Sequence, residues 1–428
     1  MNGRLRFFTL IFCTGLALPP LLAQDKELLA RDMVYESNIY TVQLYPGEQE
    51  AAFPLIFLDQ KSTLTLEFDE LLPEDQRETD FSVDLIHCDA RWEPDNVLPI
   101  EFYEGFTDDR ITFFQRSAFT KVPYVHYAYA FPQEEEYFKL SGNYILYVYK
   151  GNDRDDIVLS RRFVVVESRI RVGLKYQLNN SLERQQITDL DFEINTMGMQ
   201  IFNPAVDLNV QLLQNFRWDN AATLRNARFA GDQRYEYNVK VNTLFGAGNE
   251  FRRHEVTSTR LYSQSVQDIE EREYMFDAFL FPDEVRKANT YAARRDWNGA
   301  YLISSMDWPD PDLQSDYVRC HFFLTAAAPF PNGDLYLMGR FTDWQISPRY
   351  RMDYSTAFRR YQGEVLMKMG TYDYQYVFVE KGATRSNESV VEGPIANTEN
   401  FYTVLIYYRA PGDRSDRVIG YLPVNYRQ

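Results

Sequence analysis

Apolar and polar residues alternate with a period of two in several short stretches of this chain. In Thr63-Leu64-Thr65-Leu66-Glu67-Phe68 the residues Leu64, Leu66 and Phe68 fall on one face, as a half-buried strand requires. Phe81-Ser82-Val83-Asp84-Leu85 repeats the pattern, and Tyr372–Phe378 places Tyr372, Tyr374, Tyr376 and Phe378 on one side. Two other segments are apolar on both faces. Tyr144–Tyr149 follows Ser141-Gly142-Asn143, and Ile157–Val166 follows the turn cluster Lys150-Gly151-Asn152-Asp153. That predicts a hairpin of two largely buried strands.

Further strands are expected at Ile170–Tyr176, Val206–Leu213, Tyr235–Val241 and Thr257–Tyr262, separated by Asn203-Pro204 and Gly246-Ala247-Gly248-Asn249. Asp283–Asn289 follows Pro282 and reads as a short helix with Asp283 as its N-cap. Phe322–Thr325 and Leu335–Met338 flank the turn signal Pro331-Asn332-Gly333-Asp334. The fold class expected is all-β, as tandem immunoglobulin-like β-sandwiches. Residues 24–167 form an N-terminal sandwich in this division, 168–312 a middle β domain and 313–428 an early-set immunoglobulin-like domain.

The first 23 residues read differently. Arg4 and Arg6 precede an apolar run from Phe7 to Leu18, which is too short to span a bilayer comfortably. The small residue Ala23 follows, so this is a secretory signal with cleavage expected between Ala23 and Gln24. Phe12 stands where a lipobox before Cys13 needs a small residue, so no lipid anchor is expected. Export would permit a disulfide, but Cys88 and Cys320 fall in different predicted domains and are expected to be two buried thiols.

Charge and composition narrow the function. Lys+Arg 45 against Asp+Glu 62 gives −17, and losing Arg4 and Arg6 leaves 43 − 62 = −19. A field of that sign repels phosphate backbones and anionic lipid, so nucleic-acid binding is not expected. Tyr 31, Phe 31 and Trp 5 make 16% aromatic residues, which favours strands. No G-x-S-x-G, H-E-x-x-H or phosphate-loop motif occurs, and the G-x-G at Gly246–Gly248 lacks its third glycine. His87-Cys88 and Cys320-His321 are adjacent pairs on strands, so their side chains point to opposite faces and cannot act as nucleophile and base. Asp307, Asp310, Asp312 and Asp316 lack the glycine and closing glutamate of a calcium loop and read as a solvated acidic loop. No catalytic residue, cofactor or metal is expected.

The sharpest local pattern is G-R-F-T-D-W, Gly339 to Trp344, followed by Gly370 and Y-D-Y-Q-Y-V-F-V. It resembles the early-set immunoglobulin-like domains of glycogen- and starch-binding modules. That resemblance implies Trp344 and Tyr372 as candidate glycan or partner contacts, although Thr342 replaces the usual Asn. The alternative for Trp344 is packing at a sandwich edge.

A second resemblance covers most of the chain. F-D-E-L-L from Phe68, L-I-H-C-D-A-R-W-E-P-D from Leu85, V-H-Y-A-Y-A-F-P from Val125 and L-S-G-N-Y-I-L-Y-V-Y from Leu140 carry it in the first region. L-L-Q-N-F-R-W-D-N from Leu212, G-N-E-F-R-R-H-E from Gly248, W-N-G-A-Y at Trp297 and S-D-Y-V at Ser315 continue it. Together these stretches resemble the plug protein of the type nine secretion system of Bacteroidetes. The resemblance implies a non-enzymatic periplasmic subunit, peripheral to the outer membrane, that docks on the mouth of a large β-barrel translocon and occludes it. A periplasmic or secreted glycan-binding protein is the alternative.

Overall fold

Burial along Leu64–Leu71 follows the alternation, with Leu64, Leu66 and Phe68 fully enclosed and Thr65 and Glu67 only partly so. The computed structural model describes residues 26–175, 189–231, 233–246, 248–286, 296–395 and 398–425. The expected signal segment, with Ala23 and Gln24, lies outside the described residues, as do Tyr176, residues 287–289 of the expected helix and Ala247. The molecule is all-β, built of packed, largely antiparallel sheets in three units. No helix among the described residues is long and apolar enough to cross a membrane; Val241–Phe245 spans five residues.

The first unit is a sandwich. One sheet runs Ile39–Pro46, Leu64–Leu71, Tyr124–Phe131, Phe113–Arg116. The facing sheet runs Met33–Val34, Ile157–Val166, Gly142–Lys150, Phe81–Cys88, Asp109–Arg110, with Leu55–Phe57 added in parallel to Ile157–Val166. Phe68, Val83, Tyr127, Leu146 and Phe163 meet between them. The expected hairpin is present, with Tyr144 opposite Phe163 and Leu146 opposite Arg161.

The second unit has two four-stranded sheets around Phe192, Ile194, Val210, Leu212, Tyr237, Val404 and Ile406. Its second sheet runs Ala222–Leu224, Leu208–Gln214, Phe401–Tyr408, Arg417–Asn425. The third unit is a ten-stranded sheet wrapped on one core, in which Arg252–Val256 and Tyr301–Ile303 both pair with Gly370–Glu380. Phe276–Leu280 pairs in parallel with Tyr317–Thr325.

The linear division into 168–312 and 313–428 is therefore corrected. Phe401–Tyr408 and Arg417–Asn425 complete the second unit, whereas Arg252–Val256 and Tyr301–Ile303 belong to the third. The physical reason is that a strand joins whichever edge leaves its ladder bonds satisfied, and that edge carries no local sequence mark. The short helix expected from Asp283 is also corrected: Asp283–Glu284 is a strand pairing with Leu324 and Thr325. The Asp283 carboxylate caps no helix; it accepts hydrogen bonds from Arg252, Tyr374 and Tyr376.

Candidate functional site

The strand Gly142–Lys150 is buried on both faces because each face has its own partner. Tyr144, Leu146 and Val148 enter the first sandwich, while Ile145, Tyr147 and Tyr149 pack against Leu213, Leu405, Tyr407 and Val418 of the second unit. This second contact is a hydrophobic core between units. Its edges are polar and lead to a junction where all three units meet.

Residues of the quoted motifs build that junction. The strand Phe81–Cys88 ends at Asp89, whose carboxylate accepts from the backbone N–H groups of Arg91 (2.8 Å) and Glu93 (3.0 Å). That turn presents Trp92 edge-on to Trp218 of the second unit, with ring centres 4.7 Å apart. The Arg162 guanidinium lies over both rings, at 5.3 and 5.5 Å, and donates to Asp32 at 3.0 Å. Burial works to raise the Asp32 carboxyl, but Arg162 and Arg161 beside it hold it below its ordinary value.

The third unit contributes G-R-F-T-D-W. Arg340 reaches into the first unit and donates to the backbone carbonyls of Glu50 (2.9 Å), Leu44 (3.1 Å) and Ala52 (3.4 Å). Asp343 pairs with Arg161 at 3.2 Å, and burial pushes its carboxyl up to about 6. Trp344 is half-buried under the Arg217 guanidinium of the second unit, 4.6 Å from the ring centre. Arg217 is itself held by Asp219 (2.7 Å) and Glu388 (2.8 Å). Phe251 meets the Trp344 ring edge-on at 5.9 Å. A cavity of about 450 Å³ between the first and third units is lined by Tyr40, Arg161, Tyr301, Tyr317 and Asp343, among others.

Trp344 and Tyr372 do not form a sugar platform, which corrects the glycan-contact expectation. Tyr372 is 3% exposed, stacked between Tyr301 and His254 in the third core, with its hydroxyl donating to the Lys368 carbonyl. A ring in a sheet interior has no face left for a ligand. Trp344 has its face taken by Arg217, a partner about which the motif itself says nothing.

Other sequence candidates are also placed. His87 Nδ1 lies 2.6 Å from Asp95, while Cys88 points the other way into the core between units. Burial, with Asp95 and Asp89 nearby, pushes the Cys88 thiol up to about 12, far from a reactive thiolate. Cys88 and Cys320 are both free and buried, in separate cores. The acidic loop is less solvated than expected. Asp307 accepts from Ser258 and Thr259, Asp310 accepts from the Leu313 N–H, and Asp316 accepts from the N–H groups of Lys121 and Val122.

One part of the junction was not visible as such in the sequence. Asp69 of F-D-E-L-L and Lys368 of the third unit form an ion pair at 2.7 Å, each side chain 1% exposed. Asp69 also accepts from His126 (2.8 Å) and from the Tyr317 hydroxyl (2.7 Å). The available signal was a charged residue at a position that strand burial encloses. It told of a partner but not which one.

A family model described as "Type 9 secretion system plug protein 1st domain" matches residues 39–167, which lie within the first sandwich. The chain belongs to the type 9 secretion system plug protein family. That membership gives it a role in type 9 secretion and favours a structural task over catalysis. A crystal structure of a hypothetical protein from Parabacteroides merdae is similar throughout. The identity is 31%, with 93% of this chain and 100% of that chain covered and a TM-score of 0.85. E. coli α-2-macroglobulin in its native conformation aligns at 10% identity over 90% of this chain and 22% of that one, with a TM-score of 0.17. Dimeric latent PorU of Porphyromonas gingivalis aligns at 10% over 91% and 34%, with a TM-score of 0.13. Neither of these two scores indicates a shared fold. No curated protein matches the chain.

Proposed function

We propose that this plug-family chain docks on the periplasmic mouth of a large outer-membrane β-barrel secretion translocon and occludes it when no cargo is in transit. The observation that carries the reading is the plug-family match, on a molecule whose three units interlock. A wide water-filled pore is closed only by a folded body larger than the opening that does not come apart under load. Arg340, Arg217 and the Asp69–Lys368 pair each tie one unit to another, which suits such a body.

The recognition energy would come from exposed aromatic and aliphatic side chains, of which Phe106, Phe202, Ile100, Val206, Phe119 and Tyr274 are the most open among the described residues. The net negative charge suits a basic rim on the partner and would speed encounter. Placement in the periplasm and cleavage after Ala23 belong to the same proposal. A tagged chain expressed in its own host should co-purify with one very large barrel from mildly solubilised outer membranes. Recovery only as a free periplasmic protein would refute the docking.

A further inference from the structure

The face of the first sandwich that meets the third unit carries an arrangement that the plug reading does not use. Glu67 and Asp69 are two apart on the strand Leu64–Leu71 and so share a face; His126 lies directly opposite Asp69 on Tyr124–Phe131. Asp312, from the four-residue turn Pro311–Gln314 of the third unit, closes over them. Ligand atoms of Glu67, His126 and Asp312 all lie within 4.8 Å of one another.

We infer that Glu67, His126 and Asp312 form a binding site for one divalent transition-metal ion of the zinc class, joining the first unit to the third. Three features carry this. His126 is 6% exposed, and its Nδ1 is engaged by Asp69 at 2.8 Å, which orients the ring and leaves Nε2 as the ligand atom. A carboxylate behind a ligating imidazole is the arrangement that raises its basicity and fixes its tautomer. Second, one imidazole and two carboxylates form a donor set for a borderline divalent cation, with water completing the shell. In a tetrahedral shell, ligand atoms about 2.0–2.2 Å from such an ion stand about 3.3–3.6 Å apart, so the side chains would close by about 1 Å on binding.

Third, the local charge is unbalanced towards acid. Glu67, Asp69, Asp312 and Glu50 gather here around Lys368 and His126. The hydrogen bonds of Lys368 go to other atoms than the two ligand carboxylates. Its ammonium is spent on Asp69 (2.7 Å) and on the backbone carbonyl of Asp312 (2.6 Å). The second of these bonds, with the one from the Tyr124 hydroxyl to the same carbonyl (2.9 Å), anchors the turn that carries the Asp312 carboxylate.

The chain has four histidines, so the test is well defined: His87 and His254 are buried elsewhere, and His321 serves as the control. Full-length protein is stripped with a chelator, dialysed and titrated with Zn²⁺ alone by calorimetry. One equivalent should bind. Glu67→Gln and Asp312→Asn should each weaken it at least tenfold, whereas His321→Gln should leave it unchanged. Asp312→Asn keeps the backbone contacts, and its metal-free melting temperature verifies that it is folded. Absence of a stoichiometric site in the wild type, or a site that survives both carboxylate variants, would overturn the assignment.

Discussion

His254 sits between Phe322, Tyr372 and Tyr374 with neither ring nitrogen hydrogen-bonded. Burial drives its pKa from 6.5 down to about 3, so the ring is neutral in the folded protein. The unfolded chain takes up the proton first. Stability contributed by the neutral ring is complete above about pH 6.5 and falls by about 1.4 kcal/mol per pH unit below it, down to about pH 3. His254→Phe should flatten that part of the acid limb, as measured by urea unfolding at a series of pH values; an unchanged limb would show that another group sets it. Gly299 in W-N-G-A-Y makes a second residue-scale case. Its φ is +83°, and a Cβ there would stand 2.3 Å from the Trp344 ring and 2.9 Å from Phe251. Gly299→Ala should cost roughly 2–4 kcal/mol, combining backbone strain with overpacking, and should lower the melting temperature accordingly. Trp344 itself shows where sequence reading stopped. Its pattern marked it as a candidate contact or edge-packing residue, but its neighbour Arg217 comes from another unit, and no local spacing encodes that contact.

Strands were legible because a sheet with one buried face imprints its period of two on the chain, as along Leu64–Phe68. The doubly apolar strand Gly142–Lys150 announced burial on both sides, but not that Tyr407 and Val418 supply the second cover. Pairing is non-local, which is why nothing in Phe401–Tyr408 itself says that its partner is Leu208–Gln214 of the second unit. The same holds for the metal candidate. Glu67, His126 and Asp312 lie on three separate elements, so no short ligand spacing exists to find. Buried charge between elements also makes a prediction. Lys368→Met leaves the Asp69 carboxylate enclosed without its cation and should cost about 3–5 kcal/mol. Adding Asp69→Asn to that variant should recover a good part of the loss, read as the coupling term of a double-mutant cycle. Simple additivity would mean that the pair does not tie the two units together.

At the scale of the molecule, the second unit is closed by the last strands of the chain. Phe401–Tyr408 and Arg417–Asn425 are two of the four strands in one of its sheets and supply Val404, Ile406 and Ile419 to its core. Truncation before Phe401 should therefore unfold the strands Asp189–Asn195, Leu208–Gln214 and Arg234–Lys240 while the first sandwich persists, visible as selective proteolysis of the middle of the chain. Uniform resistance would contradict the shared core. The three-way junction suits the proposed plugging role, because a stopper must resist being pulled apart as well as fit. Whether the chain closes a pore is read most directly as electrical conductance. Purified translocon barrel is placed in a planar bilayer, and the chain is added to the periplasmic side. The account predicts a large open-pore current that falls stepwise as the chain binds and returns when the chain is removed. A current unaffected by saturating chain would contradict it.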